Sequence, residues 1–451
     1  MEQKRGSFTG GIGFVLAAAG SAVGLGNLWR FPYLAAQYGG GIFILVYILL
    51  ALTFGFSIMT VEIAIGRKTK SSPITAYGKL NRKFGFLGVI ASLVPTIILP
   101  YYCVIGGWVT KYVTTFLQGL GGPAAEDGYF GGFIGDTFSP LFFFMIFLIL
   151  TALIVLGGVE KGIEKVSRFL MPALVILTVV VSVYVLTIPG AFEGVKYYLI
   201  PNFSKFSITT VCAAMGQIFF SMSLAMGIMI TYGSYTKSDV SLTKSVNRIE
   251  IFDTVIAMLA GLMIVPAVYI FSGEEGLASS GAGLMFVTLP KVFAQMPNGG
   301  IIGFLFFALV LFAALTSSVS VMEAVVSAIM DKFHRTRGQA CAICIVVCVL
   351  LGIPSSLGNG AWSNITILGM DFLTFFDYIS NSLLMPLVAL ITCILVGWVI
   401  GTKVITDEVT RNGEQFGRKR LFEITIKYVA PVLLVIILIT YTLSQFGLFK
   451  M

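Results

Sequence analysis

Long apolar runs recur along almost the whole chain, and short polar segments separate them. An α-helix that crosses a bilayer needs about 20 apolar residues, and runs of roughly this length occur eleven times. Together they predict an all-α polytopic membrane protein with eleven transmembrane helices. The predicted spans are residues 11–36, 40–66, 88–118, 139–157, 167–189, 208–234, 246–271, 300–330, 339–354, 375–400 and 425–447.

The composition also indicates a membrane protein. Of the 451 residues, 57% are hydrophobic and 11% are charged, whereas soluble proteins average about 45–50% and about 25%. A soluble core of this length has no room for so many apolar side chains. The composition therefore excludes a cytosolic enzyme, a disordered chain and a secreted disulfide scaffold.

The basic residues indicate how the chain is oriented in the membrane. With the N-terminus placed in the cytoplasm, 22 of the 29 lysines and arginines fall in cytoplasmic segments and five fall in external ones. Because cytoplasmic loops are enriched in lysine and arginine, we expect a cytoplasmic N-terminus and an external C-terminus. The same distribution accounts for the net charge of +8, so we expect no nucleic-acid partner.

Two predicted spans contain segments that are poor material for the centre of a helix. Residues 20–27 in the first span hold three glycines, a serine and an asparagine, and residues 221–227 interrupt the sixth span more weakly. These spans open two sets of five helices, about residues 11–189 and 208–400, and a further helix follows at about 425–447. Five is an odd number, so the second set is inverted. Interrupted helices at matching places of inverted repeats predict a single transporter domain with its site near the bilayer midplane.

Unwinding a helix at this depth changes what its backbone can bind. The freed carbonyl oxygens can coordinate Na⁺, and the N–H groups of a half-helix N-terminus favour an anionic group. Irregular backbone is tolerated at this depth only where it lines a cavity. We therefore expect a cavity that binds Na⁺ together with an anionic substrate group.

Ionisable residues inside predicted spans are functional candidates by default. Arg30 and Asp377 lie near the external ends of their spans, where a pair between them would close the outer mouth. Asp253 lies within the seventh span, where its carboxylate can ligate a cation. The full set at membrane depth is Arg30, Glu62, Asp253, Glu323 and Asp377, with Glu250 near a boundary.

Three further features each leave two interpretations open. Glu62 and Glu323 either contribute to a site or only satisfy nearby backbone and hydroxyl groups. The hydroxyl run at residues 316–318 offers oxygen ligands for a hard cation, but Ser and Thr often bond to their own helix. Residues 277–299 form either a short helical lid or an ordinary packed loop.

Five segments of the chain, in order, resemble motifs of the neurotransmitter:sodium symporter family. They are Gly-Ser-Ala-Val-Gly-Leu-Gly-Asn-Leu-Trp-Arg-Phe-Pro at residues 20–32, Gly-Gly-Gly at 39–41, Glu-Ile-Ala-Ile-Gly-Arg at 62–67, Gly-Gln-Ile-Phe-Phe-Ser at 216–221 and Ala-Ala-Leu-Thr-Ser-Ser at 313–318. The resemblance extends from residue 5 to about residue 380, and it is to the shorter bacterial amino-acid members with eleven helices. It implies sodium-coupled symport of an amino acid by alternating access, in the bacterial inner membrane, by a protein that is not an enzyme.

The resemblance also implies two Na⁺ sites beside the broken helices. The first site would use the Ala22 carbonyl and the side chains of Asn27, Ser221 and Asp253. The second site would use the carbonyls of Gly20, Val23 and Ala313 and the hydroxyls of Thr316 and Ser317.

The resemblance implies substrate contacts for each part of an amino acid. The carboxylate would meet the Leu25 and Gly26 amides, the Tyr102 hydroxyl and the first Na⁺. The ammonium group would meet the carbonyls of Ala22, Phe220 and Ser221. The side chain would face Ile98, Phe220, Ser223, Ala225, Met226 and Val321.

Two gates are implied in the same way. The external gate would comprise Arg30 and Asp377 with Gln217, above a lid formed by Phe220 and Tyr102. The internal gate would comprise Arg5, Asp331, Phe8 and Tyr235.

The residues around the implied substrate site narrow the expected substrate. Monoamine members of the family carry Asp where Gly24 stands, and Gly24 leaves room for the substrate's own carboxylate. Small side chains at Ser223, Ala225 and Gly227 leave space at the floor of the pocket. We therefore expect a large apolar or aromatic amino acid such as tyrosine, tryptophan or leucine.

One departure from the family pattern concerns chloride. Chloride-dependent members carry Ser one turn after the position of Asp253, where this chain has Ala257. Two buried Na⁺ ions with one zwitterion need a compensating negative charge, and Asp253 can supply it. We therefore expect no chloride requirement, although the rest of the halide pocket matches at Tyr47, Gln217 and Ser221.

Two rival functions remain possible on the same fold, an amino-acid-gated receptor and a Na⁺-permeable channel. A membrane-embedded enzyme is a weaker third, because the sequence has no metal motif, nucleophile elbow or phosphate loop. The expected partners are a small amino acid and the lipid bilayer, and the expected assembly is a monomer or weak dimer.

Overall fold

The computed structural model describes residues 6–277 and 281–445, and it confirms the prediction of an all-α fold. Within these ranges the regular structure is helical, and β pairing is limited to isolated bridges such as Gly40 with Pro201. We number the helices that form the body of the protein in chain order. They are α1 (Gly11–Ala22), α2 (Gly26–Gln37), α3 (Gly41–Thr69), α4 (Arg82–Leu117), α5 (Ser139–Leu156), α6 (Val159–Leu186), α7 (Ile208–Ser221), α8 (Ile228–Tyr235), α9 (Leu242–Leu277), α10 (Gly299–Phe333), α11 (Arg337–Leu357), α12 (Phe372–Val399) and α13 (Lys419–Gln445).

Short helices connect these elements at both ends of the bundle. They are Pro73–Leu80, Gly121–Ala124, Tyr129–Gly135, Ala191–Leu199, Phe203–Lys205, Gly281–Gly283, Leu284–Thr288, Leu289–Gln295 and Lys403–Val409. Three of these helices, Gly281–Gly283, Leu284–Thr288 and Leu289–Gln295, lie within residues 277–299. The described part of that segment is therefore largely helical.

The lengths of the helices fit a membrane protein. In the described part of the chain, nine helices are long and apolar enough to cross a bilayer, and the bent pair α1 and α2 makes a tenth. The apolar helix α7 has 14 residues, and α8 follows it after residues 222–227. A total of eleven spans requires α7 and α8 to cross together, so that number stays a prediction.

The chain leaves the helical conformation at both segments that the sequence singled out. Between α1 and α2 the axis bends by 47°. Between α7 and α8, Ser223 and Ala225 have φ angles of 53° and 59°. Residues other than glycine rarely adopt positive φ values, so contacts with other parts of the protein must hold this segment in place.

The long helices α4 and α10 pack along each other, and α6 packs along α9. The short helix α1 packs against both α9 and α10, so its C-terminal end at Ala22 is enclosed by the bundle. We give names to the two ends of the bundle. The Arg30 face is the membrane face toward which α2 runs, and the Phe8 face is the opposite one, where α1 begins.

Two glycines allow α3 and α8 to approach each other closely. A Cβ atom on Gly66 would lie 1.9 Å from the Ile230 carbonyl oxygen, and one on Gly233 would lie 2.3 Å from the Ile63 carbonyl oxygen. Small residues at such crossings bring helix backbones together in membranes, where van der Waals packing drives association. This contact fixes α8 beside α3 and so positions the loop that precedes α8.

The Gly66 contact gives a test of the fold. We expect Gly66→Ala to lower the apparent melting temperature in detergent, because overpacking typically costs about 1–3 kcal/mol and the clash is with backbone. The control is Gly131→Ala, since a Cβ at Gly131 meets nothing within 4 Å. Equal melting temperatures for both variants and the unsubstituted protein would contradict the described crossing.

Candidate functional site

A cavity lies where the two interrupted helices face each other. The space within it that a water-sized solute can reach is about 20 Å³, roughly what one water molecule needs, so the cavity is narrow in this structure. Its walls come from α1, α2, α4, α7 and α10, the break between α1 and α2, and the loop between α7 and α8. The lining residues are Ser21, Ala22, Gly24, Leu25, Gly26, Ile98, Tyr102, Phe220, Ser223, Met226, Ser317 and Val321.

Nine of the eleven residues that the sequence suggested for substrate binding line this cavity. The two others lie beside it. The hydroxyl of Ser221 points to Asp253, with a hydrogen bond of 3.1 Å to Oδ2. The amide of Ala225 donates to Glu62. Ser21 also lines the cavity, and sequence reasoning missed it because a serine in a glycine-rich break gives no signal of its own.

The candidates for the first Na⁺ site form one buried cluster around Asp253. Asn27 donates its side-chain N–H to Asp253 Oδ1 at 2.8 Å, and Tyr47 and Ser221 donate to Oδ2 at 2.7 and 3.1 Å. All four side chains are fully buried. The cluster brings carboxyl, amide and hydroxyl oxygens to the break in the first helix, and oxygen donors are what a hard cation prefers.

The break between α1 and α2 also exposes backbone oxygens. The last four carbonyls of a helix have no partner within the helix, and here they include Gly20, Ser21 and Ala22. The Ser317 hydroxyl donates to the Ser21 carbonyl at 3.1 Å and lies 3.5 Å from the Gly20 carbonyl.

Of the remaining candidates for the second Na⁺ site, Val23 directly follows the end of α1, and Ala313 and Thr316 lie on α10. The Thr316 hydroxyl donates to the Phe312 and Ala313 carbonyls, each at 3.1 Å. A Cβ on Gly20 would lie 3.2 Å from the Thr316 Cβ, so the two helices touch here. The Thr316 hydroxyl thus bonds to its own helix, as one interpretation held, whereas the Ser317 hydroxyl bonds to a carbonyl of α1 at the break.

Donors for an anionic group converge at the N-terminal end of α2. The Leu25 amide lies 3.5 Å from the Tyr102 hydroxyl oxygen, and both groups line the cavity. A Cβ on Gly24 would lie 2.4 Å from the Ser317 hydroxyl and 3.2 Å from the Tyr102 hydroxyl. Glycine at this position therefore keeps open a small space beside two donors.

The loop between α7 and α8 is held by two long-range hydrogen bonds. Glu62 on α3 accepts from the Ala225 amide at 2.8 Å, and the Ser223 hydroxyl donates to the Ser21 carbonyl at 3.0 Å. The left-handed conformation costs roughly 1–2 kcal/mol for a residue with a side chain, and these bonds offset that cost. Glu62 therefore accepts a hydrogen bond from a backbone amide, which agrees with one of the two interpretations that the sequence left open for it.

On the Arg30 face, aromatic and charged groups cover the cavity. The Arg30 guanidinium lies 5.8 Å from the centre of the Phe220 ring. Gln217 donates its side-chain amide to the Gly26 carbonyl at 2.9 Å. Asp377 accepts from Asn381 at 2.5 Å, and between Arg30 and Asp377, both described, there is no direct ion pair. The expected external pair is therefore open in this structure, with both charges near the same mouth.

Phe286, in the segment before α10, packs in a cluster of aromatic rings from several other elements. The Phe286 ring lies 5.0 Å from Phe130, 5.9 Å from Trp108 and 6.2 Å from Trp29. The Phe286 carbonyl accepts from the Tyr112 hydroxyl at 2.7 Å. Because Trp29 belongs to α2, this segment is attached to the half-helix that carries Arg30.

On the Phe8 face, two of the residues expected for the internal gate, Phe8 and Tyr235, pack against each other. The Phe8 and Tyr235 rings lie 6.3 Å apart, and the Phe8 amide donates to the Tyr235 carbonyl at 3.1 Å. Asp331 accepts from the Ser72 amide at 2.7 Å. Arg5, the fourth expected member, lies outside the described residues.

Three further contacts lie on the Phe8 face and were not found by sequence reasoning. The Tyr235 hydroxyl donates to Glu323 at 2.6 Å, and Glu323 pairs with Arg337 at 2.7 Å. The Thr9 amide donates to buried Glu164 at 2.9 Å. Partners of this kind lie up to 155 residues apart, and no local pattern signals them.

The comparisons with known proteins agree with one another. The sequence profile of the family described as "Sodium:neurotransmitter symporter family" matches residues 5–121 and 134–449. A sodium-dependent transporter of Haemophilus influenzae is 32% identical over 98% of this chain and 99% of the relative. The sodium-dependent transporter YhdH of Bacillus subtilis is 33% identical over 97% of each chain.

A more distant relative and a solved structure extend the comparison. The human sodium- and chloride-dependent GABA transporter 2 is 27% identical over 90% of this chain and 75% of the relative. The crystal structure of MhsT in complex with L-phenylalanine is 36% identical, has a TM-score of 0.88, and covers 96% of this chain and 99% of that chain.

The bond between Glu62 and the loop gives a test of the site's architecture. We expect Glu62→Leu to lower the temperature at which the buried cysteines become reactive, because an unpaired buried amide costs about 1–3 kcal/mol. Glu62→Gln keeps an oxygen acceptor for the Ala225 amide and should stay close to the unsubstituted protein. The readout is a thiol-reactive dye during heating, since all six cysteines are free and buried. Identical profiles for the two variants would refute this role of Glu62.

Proposed function

This chain belongs to the sodium:neurotransmitter symporter family, and on that basis we propose that it is a sodium-coupled amino-acid symporter that works by alternating access. It is a sodium-dependent transporter of a multi-pass membrane family and not an enzyme. The observation that carries the proposal is the cavity at the broken helices, with the Asp253 cluster at one edge and the Leu25 amide at another. The amino-acid ligand of MhsT, at 36% identity, supports the choice of substrate class.

Two Na⁺ ions bind beside this cavity in the proposed mechanism. The first is held by the Ala22 carbonyl and by Asn27, Ser221 and Asp253, and the support is that these side chains already meet in one buried cluster. The second is held by the carbonyls of Gly20, Val23 and Ala313 and the hydroxyls of Thr316 and Ser317. The support for the second site is the approach of Ser317 to the carbonyls at the end of α1.

The substrate zwitterion is divided between the two broken helices. Its carboxylate is bound by the Leu25 and Gly26 amides, the Tyr102 hydroxyl and the first Na⁺. Its ammonium group meets the carbonyls of Ala22, Phe220 and Ser221. A half-helix N-terminus favours the negative end, and the polarity of the helix therefore orients the substrate.

The substrate side chain faces Ile98, Phe220, Met226 and Val321 on its apolar sides, with Ser223 and Ala225 at the loop. At the floor the Ser21 hydroxyl lies 2.6 Å from that of Ser320 and 3.1 Å from that of Ser223. Ser320 and Ser223 donate their protons to carbonyls, so the Ser21 and Ser223 oxygens keep capacity to accept. A phenol O–H or an indole N–H can donate there, which favours tyrosine or tryptophan over leucine.

Asp253 makes chloride unnecessary in this proposal. Two cations with a zwitterion in a low-dielectric site require nearby negative charge. Asp253 places a carboxyl group within the first ion site, and Ala257 offers no hydroxyl for a halide. The buried Tyr47 and Ser221 hydroxyls then serve Asp253 instead of an anion.

The transport cycle uses the two faces in turn. Substrate and ions enter from the Arg30 face, Phe220 and Tyr102 cover them, and Arg30 with Asp377 and Gln217 closes the mouth. The Phe8 face, with Phe8, Tyr235 and Asp331, then opens. Arg5, which lies outside the described residues, is the fourth member of this gate in the proposal. At a membrane potential of 100 mV each Na⁺ contributes roughly 2.3 kcal/mol, so two ions support substantial accumulation.

The basic loops support an orientation with the Phe8 face in the cytoplasm and the C-terminus outside. The similarity to bacterial transporters supports a bacterial inner membrane. The inverted repeats at residues 11–189 and 208–400, and a monomer or weak dimer as the working unit, belong to the same proposal. A receptor or a Na⁺-permeable channel on this fold is the alternative that the following measurement separates.

Uptake into proteoliposomes tests the proposed function directly. We expect labelled tryptophan or tyrosine to accumulate above the external concentration under an inward Na⁺ gradient, and not under a K⁺ gradient. Leucine, alanine and glycine should accumulate progressively less. Ser317→Ala should weaken the apparent Na⁺ affinity about tenfold or more, because a hydrogen bond to a charged group contributes about 1.5–3 kcal/mol. Ser204→Ala, at an exposed position in the short helix Phe203–Lys205, should leave the Na⁺ affinity unchanged. Equilibration without accumulation would indicate a channel, and binding without uptake would indicate a receptor.

The role assigned to Asp253 predicts the anion dependence. Uptake by the unsubstituted protein should be the same in chloride and in gluconate. Asp253→Asn should lose most uptake in either anion, and Asp253→Asn combined with Ala257→Ser should recover uptake in chloride only. Ala257→Ser alone is the control and should stay independent of chloride. Full uptake by Asp253→Asn in gluconate would contradict the charge-compensation argument.

A further inference from the structure

A second cavity lies at the surface of the Arg30 face, away from the proposed transport site. It is open to the outside and sits between the helix Ala191–Leu199 and the turn that joins α2 to α3. Its charged lining residues are Lys196, Lys205 and Glu193, and Tyr197 and Tyr269 form an aromatic wall. None of these residues takes part in the proposed cycle.

The cavity carries an excess of positive charge. Lys196 pairs with Glu193 at 2.8 Å and lies 5.0 Å from the centre of the Phe192 ring. Lys205 has no ion pair among the residues that the structure describes. One ammonium group is therefore uncompensated, and the second can turn from Glu193 to an incoming anion at small cost, since exposed ion pairs contribute about 0–1 kcal/mol.

An apolar surface adjoins these charges. Phe192, Ile200, Phe203 and Phe206 expose 68%, 61%, 70% and 52% of their surfaces. The helix Ala191–Leu199 buries its other side, where a Cβ on Gly194 would meet Pro266 of α9 at 2.5 Å. Aromatic residues are enriched at the two membrane–water interfaces, and an amphipathic helix with lysine on its polar side lies in that plane.

We propose that this cavity binds the headgroup of an anionic phospholipid from the leaflet on the Arg30 face. Lys196 and Lys205 bind the phosphate, and the acyl chains lie along Phe203 and Phe206. A free anion would use the two lysines but not the exposed rings, so the adjoining apolar surface favours the lipid. The two tyrosines pack at the other side of the headgroup.

Native mass spectrometry of the purified protein with lipids of identical acyl chains tests this proposal. We expect phosphatidylglycerol to be retained more tightly than phosphatidylcholine, and Lys196→Gln combined with Lys205→Gln to weaken phosphatidylglycerol retention at least fivefold. The matched control is Lys83→Gln combined with Lys291→Gln, which removes the same total charge elsewhere and should change retention less than twofold. Lys205→Gln alone should give a smaller loss in the same direction.

Two outcomes would overturn the proposal. One is equal phosphatidylglycerol retention by the cavity variants and the control, with both variants monodisperse and equally resistant to heating. The other is displacement of bound phosphatidylglycerol by inorganic phosphate or glycerol phosphate at equal concentration, which would identify a site for soluble anions. Neither outcome depends on transport activity, so the result is independent of the proposed function.

Discussion

Backbone groups that leave a helix at bilayer depth must find another partner, because no water is available there to pair them. In this protein the C-terminal end of α1 and the loop between α7 and α8 meet that requirement partly through each other and partly through side chains of α3 and α10. The Ser21 carbonyl accepts hydroxyl protons from Ser223 and Ser317, and the Ala225 amide donates to Glu62. The two breaks are therefore one structural unit, and the cavity is the space that this unit leaves unfilled.

The same constraint explains where the buried charges lie. Asp253 and Glu62 are almost completely buried, and each faces one of the broken helices. Asp253 is surrounded by the donors Asn27, Tyr47 and Ser221. In the described part of the chain one Glu62 oxygen has no partner. Burial of a carboxyl group is costly unless the group is paired, and the partners of both carboxyl groups come in part from the broken helices.

Local sequence predicted the helices and the first break well, because apolar runs and a dense group of glycines act over a few residues. The second break was less evident, since residues 221–227 have one glycine, and the left-handed turns fall on Ser223 and Ala225. Contacts such as Tyr47 with Asp253, 206 residues apart, and Glu323 with Arg337 depend on how whole helices pack. The family resemblance suggested the Na⁺-binding roles of Asn27 and Asp253, which stay predictions, whereas the place of Ser21 in the cavity wall was evident only from the structure.

The central claim is that Na⁺ and the amino acid share one site at the broken helices, so that each raises the affinity for the other. Equilibrium binding of labelled tryptophan across a series of Na⁺ concentrations, paired with ²²Na⁺ binding across tryptophan concentrations, tests it most directly. The account predicts that the two affinities rise by the same factor, as linkage requires, and that Asp253→Asn reduces this factor. Tryptophan binding that does not change with Na⁺ would contradict the claim.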